Sequence, residues 1–369
     1  METWRFLNID WLTYAETAIY RALLLRAISE NVSPTTVSFM SFARPSVVLN
    51  YFNDPDRDIN LELCRKQGIP VCRVLSGGGP ILGDSGYIVT FLDIARDHQA
   101  VPSDPLQMMS KVLTTVAEEI SERFDVSCRF RPLNDIEIRG PDGVWRKIGP
   151  SSCLYEEKAV KMGSAIQVKP TDVDLIASVI PAPPEKFADK EVKSIQERVT
   201  ALEKVVGRSI DIQELSDLYR HVFESLFEVE LIPGELTALE KGLYGEMEEE
   251  FTSYEYFMER SEKNLGKTPP GVEKKKIQFK VPNGPFVRII LCERERRIWK
   301  ILISGTLHAS PLKPSSPIHE IEKALEGSPL EKHPLASTIS EVLSRPGFSC
   351  AMVTPQLLTD KILECSSNR

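Results

Sequence analysis

The residues with the clearest capacity for chemistry are Ser76-Gly77-Gly78-Gly79. Three consecutive glycines carry no Cβ, so their backbone N–H groups can approach a phosphate or carboxylate closely. The same four residues also make a plain tight turn between strands, and residue type alone leaves both readings open. No Gly-Lys-Ser/Thr follows, which excludes a P-loop. A strand rather than a helix comes next, which excludes a dinucleotide fingerprint. Further on, Lys147 lies in the short strand VWRKIG, as either an anion-binding ammonium or a surface lysine. With the charged run KEVKSIQER at 190–198, these pieces are candidates to enclose an anion. The seven cysteines form no CxxC pair and are odd in number, which points to reduced thiols in a cytoplasm. The five histidines are scattered without ligand spacing, which argues against zinc.

Hydrophobic periodicity supplies the elements that must position these groups. Residues 14–29 have helical spacing, as do 58–68 with Asp58 near the start and Gly68 at the end. Residues 37–42 and 46–52 read as strands broken at Arg44-Pro45. IPVCRVL leads into the glycine turn and GYIVTFLDI leaves it. Residues 102–124 predict a long amphipathic helix. CRFRPLNDIEIRG and VWRKIG predict strands paired across a turn at 140–143. KMGSAIQVK is another strand, and 181–193, rich in proline and charge, reads as a loop. Helices follow at 211–227 and 234–251, with Gly207 taken as a turn.

The 369 residues suggest two units. TPPGVEKKK has linker composition, and beyond it the order is strand, strand, helix. We therefore expect a catalytic unit at 1–265, a linker at 266–276 and a small α+β accessory unit at 277–369. Hydrophobic residues make up 42% and charged residues 27%, as in a globular protein. The net charge of −8 does not suit general nucleic-acid binding. No apolar run is long enough to span a membrane, and the start METWRFLNIDWL does not read as a secretory signal. A cytoplasmic monomer is the expectation.

The order of several blocks resembles the lipoate–protein ligase family, within the biotin/lipoate ligase and octanoyltransferase superfamily. Arg73, Ser76–Gly79 and Asp84–Gly86 are similar to its R-x-x-S-G-G-G…D-x-G signature. LNDIEIRGPDGVWRKIG resembles its N-D-I strand followed by R-K-I, which places Lys147 at the family's active-site lysine. MGSAIQVKPTDVDLI resembles its H-G-T-L strand, KEVKSIQERVTAL its adenylate-closing loop, and WKILISGTLHASPLKPSSPIHEIEKALEG its accessory domain. The likeness runs from about residue 4 to 345.

The resemblance implies an α+β fold in which helices flank a mixed catalytic sheet. It implies that lipoate, ATP and Mg2+ give lipoyl-adenylate, whose acyl group passes to a lysine of a lipoyl domain. The acceptor would be similar to the glycine-cleavage H protein or to a 2-oxoacid dehydrogenase E2. On this likeness Lys147 is catalytic. Arg73, Ser76, Gly77, Gly78, Gly79, Asp84, Gly163 and Ser164 bind the acyl substrate. Asn134, Asp135, Ser194 and Arg198 bind nucleotide, with Asp135 also a metal ligand. The neighbouring octanoyltransferases instead form a thioester on cysteine, for which Cys128 and Cys153 are the alternative nucleophiles, and a ligand-binding homologue is a third reading. The chain departs from the family pattern at Val74, Gly83, Pro150 and Met162, and at Tyr20-Arg21, where the family helix has acids. These departures suggest a different acyl substrate, a special acceptor or weakened activity.

Overall fold

The structure is a computed structural model describing residues 1–181, 195–313 and 315–367. The strands, in chain order, are β1 (Glu2–Leu12), β2 (Thr36–Phe42), β3 (Ser46–Leu49), β4 (Val71–Arg73), β5 (Ile81–Gly83), β6 (Tyr87–Ala95), β7 (Cys128–Arg131), β8 (Asp135–Arg139), β9 (Trp145–Tyr155), β10 (Ala159–Gln167), β11 (Val229–Pro233), β12 (Glu273–Lys280), β13 (Phe286–Arg294) and β14 (Arg297–Gly305). Eight of them form one sheet in the order β11-β1-β2-β6-β10-β9-β8-β7. β1 runs parallel to β2 and β11, and the pairs from β2 through β7 are antiparallel. A smaller sheet, β4-β3-β5, carries the approach to the glycine loop. The mixed sheet and its flanking helices make the fold α+β, as expected.

Side-chain alternation gives the large sheet two faces with different jobs. On β6, Ile88, Leu92 and Ile94 pack with the helices Pro105–Phe124 and Ile212–Phe227 in one core. Tyr87, Val89 and Phe91 point the other way, toward the helix Tyr14–Ser29 and the apolar residues of β13 and β14. That helix begins where Thr13 and Glu16 form a capping box, which satisfies two N–H groups at its start. Most of its residues are buried, because it lies between the sheet and the helix Ala238–Thr252.

The C-terminal part forms an antiparallel sheet, β12-β13-β14, with helices Pro317–Leu325, Lys332–Leu343 and Pro355–Ser367. The last two are absent from the sequence reading. The expected linker at 266–276 overlaps β12, which starts at Glu273 because the lysine-rich stretch alternates along a sheet edge. Among the described residues, no helix is long and apolar enough to cross a membrane.

Candidate active site

A cavity of about 240 Å³ opens on the Tyr87–Val89–Phe91 face of the sheet. Its floor is a row across three strands, since Gly163 on β10 pairs with Phe91 on β6 and with Ser152 on β9. A Cβ at Gly163 would stand 2.6 Å from the Phe91 ring, so glycine is what lets that ring lie flat on the floor. One wall is the loop Ser76–Gly79, whose Ser76 hydroxyl meets that of Ser152 at 2.8 Å.

The opposite wall comes from far along the chain, from Lys280, Thr306 and His308. It sits tightly on the glycine loop. The Gly78 amide donates to the Leu307 carbonyl at 2.9 Å, and Asn53 Nδ2 bridges the Gly78 and Gly305 carbonyls. A Cβ at Gly77 would stand 3.0 Å from both His308 Nδ1 and the Leu307 oxygen. The triple glycine is thus explained in part by this backbone approach, and the Gly78 donor expected to face an anion is already engaged. His308 is buried and its Nδ1 has no partner. Burial, with the Lys147 charge added, pushes its pKa down to about 4, so the ring is neutral at pH 7.

Lys147 lines this cavity and also a second, mostly apolar one of about 270 Å³. The second cavity is walled by Ile148, Ile176, Ile180 and Val199. The lysine is placed by the β8–β9 register, which sets it opposite Glu137. A backbone bond from Thr200 N to the Lys147 carbonyl at 3.0 Å then ties β9 to the segment after the helix Ile195–Arg198. Its ammonium meets Asp135 Oδ1 at 2.6 Å. Arg198 grips Asp135 Oδ2 at 2.8 Å and Glu137 at 2.5 Å. Arg129 and Arg131 also reach Glu137, at 2.7 and 3.5 Å. Four cations against two carboxylates leave the cluster at +2. Burial alone would raise the Glu137 carboxyl, but its bonds to Arg129 and Arg198 outweigh that and hold it below the usual range.

The structure gathers Ser76, Gly77, Gly78, Gly79, Asn134, Asp135, Lys147, Gly163 and Ser164 around the first cavity, and Arg198 around the second. Asn134 is turned to the Ser151 carbonyl, to which it donates at 2.8 Å. Other expectations need correcting. Arg73 does not line the cavity. Buried, it donates to the carbonyls of Asn50, Tyr51 and Phe257 and so braces loops behind the site. Asp84 accepts from Gly86 N and Gln167, as a turn cap. The Ser164 hydroxyl bonds Tyr219 on the opposite face. As a metal ligand Asp135 is poorly suited, since its two oxygens are held by Lys147 and Arg198; no cluster of three metal-binding side chains occurs among the described residues. A resident metal held by protein side chains alone therefore does not fit this donor set.

Cys128 and Cys153 pack with the opposite-face core, because β9 directs Cys153 away from Ser152's side. Burial pushes the Cys128 thiol up to about 12 and raises Cys153 further. Neither lines the cavity, and no cysteine does among the described residues. Ser194 lies outside the described residues. The sequence reading missed Tyr87, Phe91, Lys280 and His308 as lining residues. Arg21 had been visible only as a basic residue where the family helix has acids.

Comparison with known proteins shows the family and the fold. A family profile described as the lipoyl protein ligase A/B catalytic domain matches residues 13–224, more than half of the chain. The octanoyltransferase LipM of Brevibacillus brevis is 23% identical over 269 residues, 67% of this chain and 95% of the relative. Lipoate-protein ligase A subunit 1 of Thermoplasma acidophilum is 26% identical over 208 residues, 55% of this chain and 76% of that one. Among solved structures, the bi-partite Thermoplasma acidophilum lipoate protein ligase superposes with a TM-score of 0.59 at 23% identity, over 70% of this chain and 97% of its own. Plasmodium falciparum LipL1 with lipoate gives 0.68 at 12% identity over 98% of both chains, so the likeness of fold extends through the C-terminal part. Since that profile spans more than half of the sequence, the chain belongs to the lipoyl protein ligase A/B catalytic-domain family.

Proposed function

We propose that this protein is an ATP-dependent acyl–protein ligase that joins lipoate, or a related acyl chain, to a lysine of a lipoyl domain. The observation that carries the reading is the position of Lys147, whose side chain borders both cavities at once. One cavity suits an acyl chain. The other, mostly apolar, suits an adenine.

In the first step the acyl carboxylate attacks the α-phosphorus of ATP. The new carboxylate–phosphorus bond forms as the bond to the bridging oxygen of pyrophosphate breaks. Two anions must meet and charge grows on the α-phosphoryl oxygens, so a cation held nearby lowers the barrier. The +2 cluster of which Lys147 is part supplies that field. Asp135 and Arg198 fix where the ammonium stands, and His308, neutral and partly desolvated, adds no competing charge. In the second step the acceptor lysine, as free amine, attacks the acyl carbon. An amide forms, AMP leaves and the amine proton is released. A lipoyl-domain acceptor is consistent with the E2 lipoyl domain named with the Thermoplasma ligase. We read 1–265 as the unit that carries the chemistry and the C-terminal part as the lid that walls it.

The octanoyltransferase relatives favour a second reading, acyl transfer from a carrier thioester without ATP. That reaction uses a cysteine nucleophile, and Cys128 and Cys153 face the wrong side of the sheet. The test is to supply lipoate, ATP, magnesium and a lipoyl domain and follow pyrophosphate. Release that needs lipoate and is lost in Lys147→Ala supports ligation. Transfer from octanoyl-carrier without ATP, lost in Cys128→Ala or Cys153→Ala, replaces it.

A further inference from the structure

The first cavity holds a charge that no carboxylate among the described residues answers. Arg21 projects from the helix Tyr14–Ser29, is 6% exposed and lines the cavity. Its guanidinium carbon lies 4.7 Å from the centre of the Phe91 ring. Its Nε has no hydrogen-bond partner, and among the described residues no carboxylate pairs with it. Asp93 on the same strand as Phe91 is taken by Lys161 at 2.6 Å, and the Lys161 ammonium also lies over Phe91, at 4.6 Å. Beside Arg21 stands the Tyr87 hydroxyl, also buried and without a partner. A cation withdrawn from water needs an anion or several acceptors in exchange, and a ring face is a partial substitute.

This pole is separate from the Lys147 pole. Arg21 covers Phe91, whose row across the sheet ends at Ser152. Lys147 lies five residues back along β9 from Ser152, at most about 16 Å at 3.3 Å per residue, because the strand bulges between Lys147 and Gly149. The floor between them is Phe91, Val89 and Ala165, a smooth apolar track. A medium-length chain fills that track when a hydrogen bond of about 2.9 Å closes each end. A hydrocarbon tail would leave Arg21 and Tyr87 unanswered, and a sulfur is a weak acceptor.

We infer that the acyl substrate is an α,ω-dicarboxylate, its reacting carboxylate at Lys147 and its distal carboxylate held by Arg21 and Tyr87. The inference rests on the acyl-binding role proposed for this cavity and narrows its substrate class. Arg21 and Tyr87 are then specificity residues rather than members of the reacting set.

The experiment is calorimetric titration of the full chain, without ATP, with octanedioate and with octanoate. A charge-assisted bond to a buried cation makes octanedioate at least about tenfold tighter. Arg21→Leu reverses the preference, and Tyr87→Phe weakens octanedioate several-fold more than it weakens octanoate. Arg21→Lys, which keeps the charge, retains part of the selectivity and serves if the leucine variant does not fold. Equal affinity of the parent protein for the two acids overturns the inference. An equal loss for both acids in Arg21→Leu also overturns it, since the guanidinium would then hold the carboxylate they share. Pyrophosphate release is measured separately with whichever acid binds. Octanedioate binding without any release defeats the ligase reading and leaves this one standing. Release with lipoate or octanoate, uninhibited by octanedioate, does the reverse.

Discussion

Replacing Lys147 with alanine separates catalysis from folding in a way the structure makes quantitative. The ion pair with Asp135 is 2.6 Å long, with side chains 24% and 15% exposed. A pair this accessible contributes about 0–1 kcal/mol to folding. Its loss does not strand a carboxylate, because Arg198 still holds Asp135 at 2.8 Å. The melting temperature should therefore move by less than about 2 °C in a chain of this length. Catalysis should suffer far more. One preorganised electrostatic partner of a developing oxyanion is worth about 2.7–4 kcal/mol, or a 10²–10³-fold loss of rate. Lipoate-dependent pyrophosphate release reads the first step alone, and a melting curve on the same sample reads the fold. Release within about threefold of the parent rate, at an unchanged melting temperature, would refute the role given to Lys147, because a rate factor of three is under 1 kcal/mol.

Gly163→Ala places a methyl 2.6 Å from the Phe91 ring and should cost about 1–3 kcal/mol of stability while pushing the ring into the acyl track; weakened acid binding in calorimetry checks it, and unaltered binding tells against the floor described above. The double variant Cys128→Ala/Cys153→Ala should keep lipoate-dependent pyrophosphate release within about twofold, since both thiols lie on the other face; a loss greater than about tenfold without unfolding would favour the transferase chemistry. His308 contributes to acid sensitivity. Its folded pKa of about 4 lies below the unfolded value near 6.5, so between those pH values the unfolded chain takes the proton and stability falls as pH falls. The loss amounts to about 3 kcal/mol at most by pH 4, and His308→Gln should flatten that part of a denaturation-versus-pH profile by about one proton. An unchanged slope would show that His308 titrates normally.

Local order was readable in the sequence wherever periodicity and caps agreed. The helix at 14–29 appears with those bounds, and the turn at 140–143 joins β8 to β9 through bonds between Gly140 and Val144 and from Gly143 to Gly140. Gly207 does end a short helix, at φ +78°. The strand expected at 46–52 stops at Leu49, because Arg73 and Asn53 draw the following carbonyls and amides into a turn. Lys147 and the glycine loop were recognisable as parts. What joins them was not. The wall of Thr306 and His308 meets Gly77–Gly79 across more than two hundred residues, and no local pattern encodes such a contact. Arg73 was misjudged for a related reason, since a buried guanidinium can serve backbone carbonyls as well as a ligand. Which face of β9 each residue takes decided the fate of Cys153 and Ser152, and spacing fixes that only after register is known.

The seat of Leu307 on Gly78 has a consequence for how such an enzyme can be encoded. The bonds that close the chamber run between residues 50–79 and residues 305–308, and none passes through the stretch from 266 to 272. Covalent continuity there raises the local concentration of one half near the other and supplies no part of the chamber itself. Two separate polypeptides, meeting through the same glycines and the same carbonyls, would build the same vessel at the cost of an association equilibrium.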